Sequence, residues 1–263
     1  MIDKKEFLLQ YIIKAYIEHL EPIGSTQLKS MYDITYSPAT IRGYFKKLGE
    51  EGYLAQEHIS SGRTPTTEAL KQYWQSKLNL KLKGLNLRAL EYFASEIGLS
   101  VFIKKEKSDV LKNILNVEKR YMILEFSSFA ISVKYSDALY RFLNDMIGLD
   151  LKDITRISKD VGAYEVYESI NQTLQNSDFQ VFNYKEFLNL ALNYDFDEYT
   201  INSFLKGQIL DELKEGLYFD KFLPSNYIGI CNYCKINNED VKMLVIGELP
   251  KDYEYFYEKI TTF

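Results

Sequence analysis

Several residue types are scarce in this chain of 263 residues. Two cysteines cannot build a disulfide framework, and two histidines offer little for a metal site. Five prolines and 13 glycines beside 46% apolar residues exclude collagen-like and disordered chains. Because no apolar run approaches the roughly 18 residues of a membrane-spanning helix, and charged residues follow Met1, we expect a folded, cytoplasmic protein with no membrane partner.

Excess positive charge is also lacking, since the formal net charge is -5. The charge is nevertheless divided unevenly. Residues 1–83 carry 12 Lys and Arg against 9 Asp and Glu, a net of +3, whereas residues 84–263 carry 20 against 28, a net of -8. The amino-terminal third is therefore the part that a polyanion could approach.

Periodicity and capping signals predict a compact series of elements in that third. The clearest is a helix with an N-cap at Ser37 and proline at its first position. In chain order we expect a helix over residues 7–20, a shorter one capped by Ser25, a third from Ser37 to a left-handed Gly52, a strand over residues 53–58, a turn at residues 60–62, a return at residues 63–65, and a helix through Trp74. This order is that of a winged helix-turn-helix.

The third helix offers a surface suited to a major groove. With Ile41, Tyr44, Phe45 and Leu48 turned to the core, small, hydroxylic and basic residues face outward. Arg42 can bind guanine bidentately, lysines can meet phosphate, and Arg63 lies at the predicted tip of the wing. A solvated helix face is the alternative, but the topology favours DNA. The predicted DNA-binding residues are Ser25, Ser37, Ala39, Thr40, Arg42, Gly43, Lys46, Lys47, Ser61, Gly62 and Arg63.

A composition shift near residues 79–86 predicts a domain boundary, with domains at 1–80 and 81–263. The second domain interleaves strands and helices without a regular βαβ period, which indicates an α+β fold. We expect a hairpin of residues 122–126 and 130–135, a helix at 137–147 closed by Gly148, helices at 164–174 and 202–218, and strands at 227–231 and 242–247.

Other groups in the second domain suggest chemistry only weakly. Cys231 and Cys234 have metal-knuckle spacing, but no further ligands accompany them, so we interpret them as semi-buried thiols at a strand end. Asp211, Glu212 and Glu215 are interpreted as a solvated helix face. The sequence shows no grouping of a nucleophile, a general base and a residue to orient that base, as a catalytic site would need. We therefore expect no enzyme, cofactor or metal site.

Four motifs occur in order over about fifty residues. They are Glu21-Pro22-Ile23-Gly24-Ser25, Tyr36-Ser37-Pro38-Ala39-Thr40-Ile41-Arg42, the Leu48–Leu54 step that contains Glu51-Gly52-Tyr53-Leu54, and His58-Ile59-Ser60-Ser61-Gly62-Arg63-Thr64-Pro65-Thr66. Together they resemble the heat-inducible transcription repressors of the HrcA type. Val245-Ile246-Gly247 and Asp252-Tyr253 carry a weaker resemblance in the remainder.

The resemblance implies a winged helix-turn-helix domain followed by a GAF-like α+β domain with a dimerisation insert. It also implies a homodimer that binds an inverted-repeat operator in double-stranded DNA, represses chaperone operons, is released on heat stress and is modulated by the chaperonin. Two departures stand out. Gly43-Tyr44 replaces the usual Asn-Asp, and the shorter chain predicts a reduced insert of undefined limits. The alternative function is a winged-helix regulator switched by a small metabolite bound in the second domain.

Overall fold

The computed structural model describes residues 4–56, 58, 61–79, 82, 84–105, 109–175, 179–237 and 239–262. Contacts between residues divide the chain into two units. Residues 1–103 and 180–263 form the main unit, and residues 104–179 form the inserted unit. The domain limits at residues 80 and 81 stay a prediction.

The amino-terminal elements follow the predicted order. They are α1 (Lys4–His19), α2 (Ser25–Met31), α3 (Pro38–Glu50), β1 (Leu54–Ala55), β2 (Thr64–Pro65) and α4 (Thr67–Lys77). Apolar residues of α1, α2, α3 and β1 form one core, with Leu8, Ile12, Leu28 and Ile41 fully buried. Burial of this shared stripe, rather than helix propensity, holds such short helices in place.

The predicted caps are confirmed with one correction. Ser37 Oγ accepts from the Thr40 N–H at 3.1 Å, Pro38 begins α3, and Gly52 has φ +83°. Ser25, however, is the first residue of α2, and the cap is Gly24, whose N–H donates to Gln27 Oε1 at 3.2 Å. The strand predicted over residues 53–58 shortens to β1. Glu57 of that strand and Ser60 of the predicted turn lie outside the described residues.

The remaining elements confirm a mixed α+β fold. They are β3 (Gly84–Leu85), α5 (Leu87–Ile97), β4 (Ser100–Lys105), β5 (Leu111–Val117), β6 (Tyr121–Phe126), β7 (Ala130–Lys134), α6 (Asp137–Asn144), α7 (Leu151–Asp160), α8 (Tyr164–Gln175), β8 (Phe179–Phe182), α9 (Tyr184–Asn193), α10 (Glu198–Leu205), α11 (Ile209–Glu212), β9 (Gly216–Tyr218), β10 (Tyr227–Ile236), β11 (Glu239–Glu248), α12 (Tyr253–Ile260) and β12 (Thr261–Thr262).

The sheet of the main unit has the strand order β12-β3-β10-β11-β4-β8, and β9 also pairs with β10. The antiparallel β10–β11 hairpin runs in register from Tyr227 opposite Glu248 to Ile236 opposite Glu239. Its two strands confirm and extend the predicted strands at 227–231 and 242–247. Buried residues of this hairpin join α5 and α12 in the core of the unit.

One predicted helix in the main unit is wrong. Residues 202–218 form the end of α10, the short α11 and strand β9 instead of one helix. Gly207, with φ +68°, lies in the left-handed region that ends α10. Leu217 and Tyr218 pair with β10, so a tertiary strand partner overrides the helical spacing of the apolar residues.

The inserted unit is a three-stranded antiparallel sheet, in the order β5-β6-β7, packed on α6, α7 and α8. The predicted hairpin of residues 122–126 and 130–135 is confirmed as β6 and β7. The helix predicted over 137–147 ends earlier, at Asn144, and Gly148 has φ +91°. Within the described residues of both units, no helix is long and apolar enough to cross a membrane.

A buried carboxylate organises the turn between β6 and β7. Asp109 is 4% exposed and accepts hydrogen bonds from the Val110 and Ser127 N–H groups and from both the N–H and the hydroxyl of Ser128. Burial disfavours its ionised form, but these hydrogen bonds outweigh that cost and lower the pKa of Asp109 below its ordinary value. The charged form is therefore the one that the fold prefers.

We expect Asp109→Asn to lose about 1–2 kcal/mol of folding free energy at pH 7, because an amide cannot accept all four donors. Since the pKa of Asp109 is lowered in the folded state, its stabilisation is complete above about pH 4 and is lost as the pH falls through the folded value. Urea unfolding at several pH values measures this. Asp145→Asn, at an exposed position of the same unit, is the control. If the stability difference between Asp109→Asn and the parent stayed the same at low pH, the ionised Asp109 carboxylate would not be the source of the stabilisation.

Candidate nucleic-acid interface

Helix α3 divides into a buried and an exposed face. Ile41, Phe45 and Leu48 are at most 4% exposed, and Tyr44 is half-buried beside them. The six residues predicted to face outward are all exposed, namely Ala39, Thr40, Arg42, Gly43, Lys46 and Lys47. The helical pattern alone therefore placed this face correctly.

Two contacts order the amino-terminal end of α3. The hydroxyls of Ser37 and Thr40 share a hydrogen bond of 2.9 Å, so the cap holds both side chains at the start of the helix. Arg42 Nη1 donates to Ser25 Oγ at 3.3 Å, which joins α3 to the first residue of α2. The structure thus brings four of the predicted residues together where two helices begin.

The carboxyl-terminal half of α3 carries exposed positive charge. Lys46 Nζ lies 3.9 Å from Glu50 Oε1 in a highly exposed pair, which contributes little stability. Lys47 Nζ lies 5.8 Å from the centroid of the Tyr44 ring, and it forms no ion pair with any described residue. Behind the helix end, Lys5 Nζ lies 2.6 Å from Glu51 Oε2. This ion pair ties α1 to the end of α3, and no local pattern of residues predicts it.

The second half of the predicted wing packs against the loop between α1 and α2. Ile23 and Arg63 exchange two backbone hydrogen bonds of 2.9 Å each. A Cβ at Gly62 would lie 2.6 Å from the carbonyl carbons of Pro22 and Ile23, so this close approach requires glycine. The prediction that Arg63 lies at the tip of the wing is therefore wrong, because its backbone is bridged to Ile23 instead.

The side chain of Arg63 has a buried donor that makes no hydrogen bond with the described residues. It is half-buried, and its Nη1 atom is buried without a hydrogen-bond partner among the described residues. A buried guanidinium nitrogen without an acceptor is costly, and a phosphate oxygen is a suitable acceptor. Beside it, Ser61 Oγ donates to the His58 carbonyl at 2.7 Å and accepts from the His58 N–H at 3.1 Å, which closes the local turn.

Helix α4 connects these elements to the sheet of the main unit. Its cap, Thr66, donates from Oγ1 to the Gly52 carbonyl at 2.8 Å, next to the end of α3. At its other end, the buried Trp74 donates from Nε1 to the Leu249 carbonyl at 2.7 Å, and its ring meets that of Tyr253 edge-on at 5.1 Å. The position of α3 is thereby fixed relative to β11 and α12. The sequence showed the helix but not this anchor.

The two cysteines are more deeply buried than predicted. Cys231 and Cys234 lie within β10, which continues to Ile236, rather than at a strand end. Burial raises the pKa of the Cys231 thiol to about 11, although nearby Lys242 opposes the shift, and burial raises the pKa of Cys234 to about 12. Both thiols therefore stay protonated near neutral pH. No cluster of three or more metal-ligating side chains was found in the described parts of the chain.

The acidic residues do not share one helix face. Asp211 and Glu212 belong to α11, whereas Glu215 follows it, just before β9. The prediction of a common solvated helix face is therefore wrong for Glu215.

Comparisons with known proteins extend over the whole chain. Residues 74–263 match the family profile described as the HrcA C-terminal domain. A heat-inducible transcription repressor HrcA of Helicobacter pylori strain J99 is 31% identical over 264 residues, covering 99% of this chain and 95% of its own length. The corresponding protein of Mycoplasma capricolum is 29% identical over 245 residues, covering 82% of this chain and 67% of its own.

One solved structure supports the fold. The crystal structure of a hypothetical protein at 2.2 Å resolution aligns with a TM-score of 0.50 at 18% identity, and the alignment covers 98% of this chain and 96% of the other. That likeness concerns the fold alone. The profile match and the near-full-length identity to the Helicobacter protein show that the chain belongs to the HrcA family of heat-inducible transcription repressors, a family of regulators and not of enzymes.

Proposed function

We propose that the chain is a winged helix-turn-helix repressor that binds, as a homodimer, an inverted-repeat operator in double-stranded DNA and controls chaperone operons. The observation that carries the proposal is the two-faced character of α3, with a buried apolar stripe opposite an exposed set of small, hydroxylic and basic residues. Small residues allow a helix to approach the major groove closely, and hydroxyl and basic side chains supply donors to bases and phosphates.

The amino-terminal half of α3 contacts base edges in this proposal. Ala39 and Gly43 let the helix approach the floor of the major groove, and Arg42 supplies a planar pair of donors for guanine. The Ser25–Arg42 hydrogen bond at 3.3 Å holds the guanidinium between α2 and α3 before DNA arrives. Such preorganisation lowers the entropy cost of binding.

Phosphates are contacted on both sides of the reading helix. Lys46 and Lys47 extend from the exposed face of α3, and Arg63 Nη1 has no acceptor among the residues that the structure describes. Ser61 and Gly62 are small residues, so the DNA backbone can approach the chain closely beside Arg63. The net charge of +3 on residues 1–83 and of -8 on residues 84–263 orients the protein with this face toward DNA.

Replacing Lys47 with alanine is expected to weaken binding to operator and to unrelated DNA alike, because a phosphate contact carries no sequence information. The loss of about one released counterion should also reduce the slope of log K against log salt by about 1. Mobility-shift titrations over a range of salt concentrations measure both effects. Lys206→Ala, at an exposed position just after α10, changes the same charge away from the reader. If the slope of log K against log salt for Lys47→Ala equalled that of the parent, Lys47 would not contact phosphate.

The inserted unit supplies a dimer surface in this proposal. Register places Leu115 opposite Ile123 and Val117 opposite Tyr121, so these four residues share the sheet face directed away from the helices. Leu115, Val117 and Tyr121 are 43%, 41% and 51% exposed. An exposed apolar patch on a sheet suits self-association, because a twofold axis lets one patch pair with its own copy.

Tyr121→Asp is therefore expected to weaken dimerisation at least about tenfold, since a carboxylate would be desolvated at the centre of the patch. Analytical ultracentrifugation over a concentration series gives the dissociation constant. Tyr199→Asp, at a position that is 76% exposed in α10, introduces the same charge outside the patch. Equal dissociation constants for the Tyr121 and Tyr199 variants would exclude this surface.

The rest of the main unit, residues 84–103 with 180–262, corresponds in the proposal to the GAF-like body, and residues 104–179 correspond to the reduced dimerisation insert. One reader contacts only a few base pairs, so the two half-sites must be held at a fixed spacing. Heating releases the operator when the dimer or the body loses stability and that spacing is lost. In the proposal the chaperonin modulates this equilibrium by keeping the repressor active.

A further inference from the structure

A small cavity in the main unit gathers charged groups of both signs. It has a volume of about 100 Å³ and lies where the start of β4, α9 and the end of β11 meet. Its polar lining comes from Ser100, Glu186, Tyr227, Glu248 and Lys251. The space suits a molecule of only a few heavy atoms.

The charges around this cavity are poorly compensated by one another. Glu186 and Lys251 are half-buried, and neither side chain forms a hydrogen bond or an ion pair with any described residue. Glu248 accepts from Tyr227 Oη at 3.4 Å. Burial raises the pKa of Tyr227 to about 12, and the negative charges of Glu248 and, to a smaller extent, Glu186 act in the same direction. The phenol therefore remains protonated and can donate a hydrogen bond. Partly desolvated charges without partners are costly, and a ligand of matching charge relieves that cost.

We propose that this cavity binds a small zwitterion of the size of glycine or alanine. The ammonium group of the ligand faces the carboxylates of Glu186 and Glu248, and the ligand carboxylate faces the Lys251 ammonium. Two acids and one base match one molecule that carries both charges better than they match a simple anion. The small volume favours the smallest amino acids.

The same segment of chain holds the anchor of α4. Leu249, whose carbonyl accepts the Trp74 Nε1–H at 2.7 Å, lies between Glu248 and Lys251 in the sequence. Tyr253 Oη donates to the Glu248 carbonyl at 2.8 Å, and the Tyr253 ring meets Trp74. A ligand that contacts Glu248 and Lys251 therefore steadies the backbone on which Trp74 rests. The further link from Trp74 to control of DNA binding rests on the proposed function.

Trp74 is the single tryptophan of the chain, so its fluorescence reports on this segment. We expect alanine or glycine, titrated to about 50 mM, to give a saturable change in Trp74 emission and matching heat in calorimetry. Ethylamine and propionate each carry one of the two charges and should bind at least about tenfold more weakly.

Glu186→Gln keeps the shape of the side chain and breaks no described contact, and it should weaken binding at least about tenfold, as should Lys251→Gln. Glu168→Gln and Lys206→Gln make the same charge changes at exposed positions elsewhere and should titrate like the parent. The proposal is overturned if neither amino acid saturates, if either single-charge analogue binds equally well, or if Glu186→Gln binds like the parent. These titrations contain no DNA, and operator binding by the ligand-free parent separately tests the proposed function.

Discussion

Replacing Trp74 with alanine is expected to lower the free energy of unfolding by about 3–5 kcal/mol, the range for truncating a large buried aromatic side chain. Trp74 is 1% exposed, and the substitution would leave a cavity between α4 and α12 and deprive the Leu249 carbonyl of its donor. Since folded domains are stable by only about 5–15 kcal/mol, the change threatens the docking of α4 as a whole.

Urea unfolding followed by far-ultraviolet circular dichroism measures this effect without relying on tryptophan emission. Trp74→Phe is the graded control, because it keeps most of the apolar contact with Tyr253 and loses the hydrogen bond. We expect this variant to lose about half as much stability as Trp74→Ala. A loss of less than about 1 kcal/mol in Trp74→Ala would contradict the role of Trp74 as the anchor.

The Arg42→Ala protein is expected to discriminate operator from unrelated DNA less well by about 2 kcal/mol, or about 30-fold. A bidentate arginine contact contributes affinity mainly at the correct base pair, so the loss falls on operator and spares non-specific binding. This pattern differs from that of Lys47→Ala, which lowers affinity for both kinds of DNA.

Competition mobility shifts, with labelled operator against unlabelled random DNA, measure the ratio directly. Arg88→Ala removes the same charge from an exposed position of α5 and should leave the ratio unchanged. Ser25→Ala removes the 3.3 Å partner of Arg42 and should produce a smaller loss, because the guanidinium remains but is less well oriented. If Arg42→Ala retained the parental ratio, base recognition would lie elsewhere.

Local signals made the amino-terminal elements predictable. The Ser37–Pro38 start and the apolar stripe of Ile41, Phe45 and Leu48 define α3 within a short stretch of sequence, and the structure agrees. Capping and periodicity act over three to seven residues, so one sequence suffices to recognise them. The exposed face of α3 followed directly from the same helical pattern.

Features that depend on contacts between distant parts of the chain escaped prediction. Arg63 pairs with Ile23, Trp74 binds Leu249, and Leu217 joins β10, and none of these partners is close in sequence. The helical spacing of residues 202–218 was misleading for the same reason, since Gly207 and a strand partner decide the local conformation. The pairing of residues 22–23 with 62–63 also gives a physical reason why two of the four sequence motifs occur together.

The central claim is that two α3 helices of one dimer read an inverted repeat. Hydroxyl-radical footprinting on operator DNA, selected by the protein from a random pool, tests it most directly. The account predicts two equivalent protected patches, related by twofold symmetry and centred about one or a whole number of helical turns apart, that disappear together on heating. A single patch, or protection that persists unchanged at temperatures where the dimer or the body has lost its structure, would contradict it.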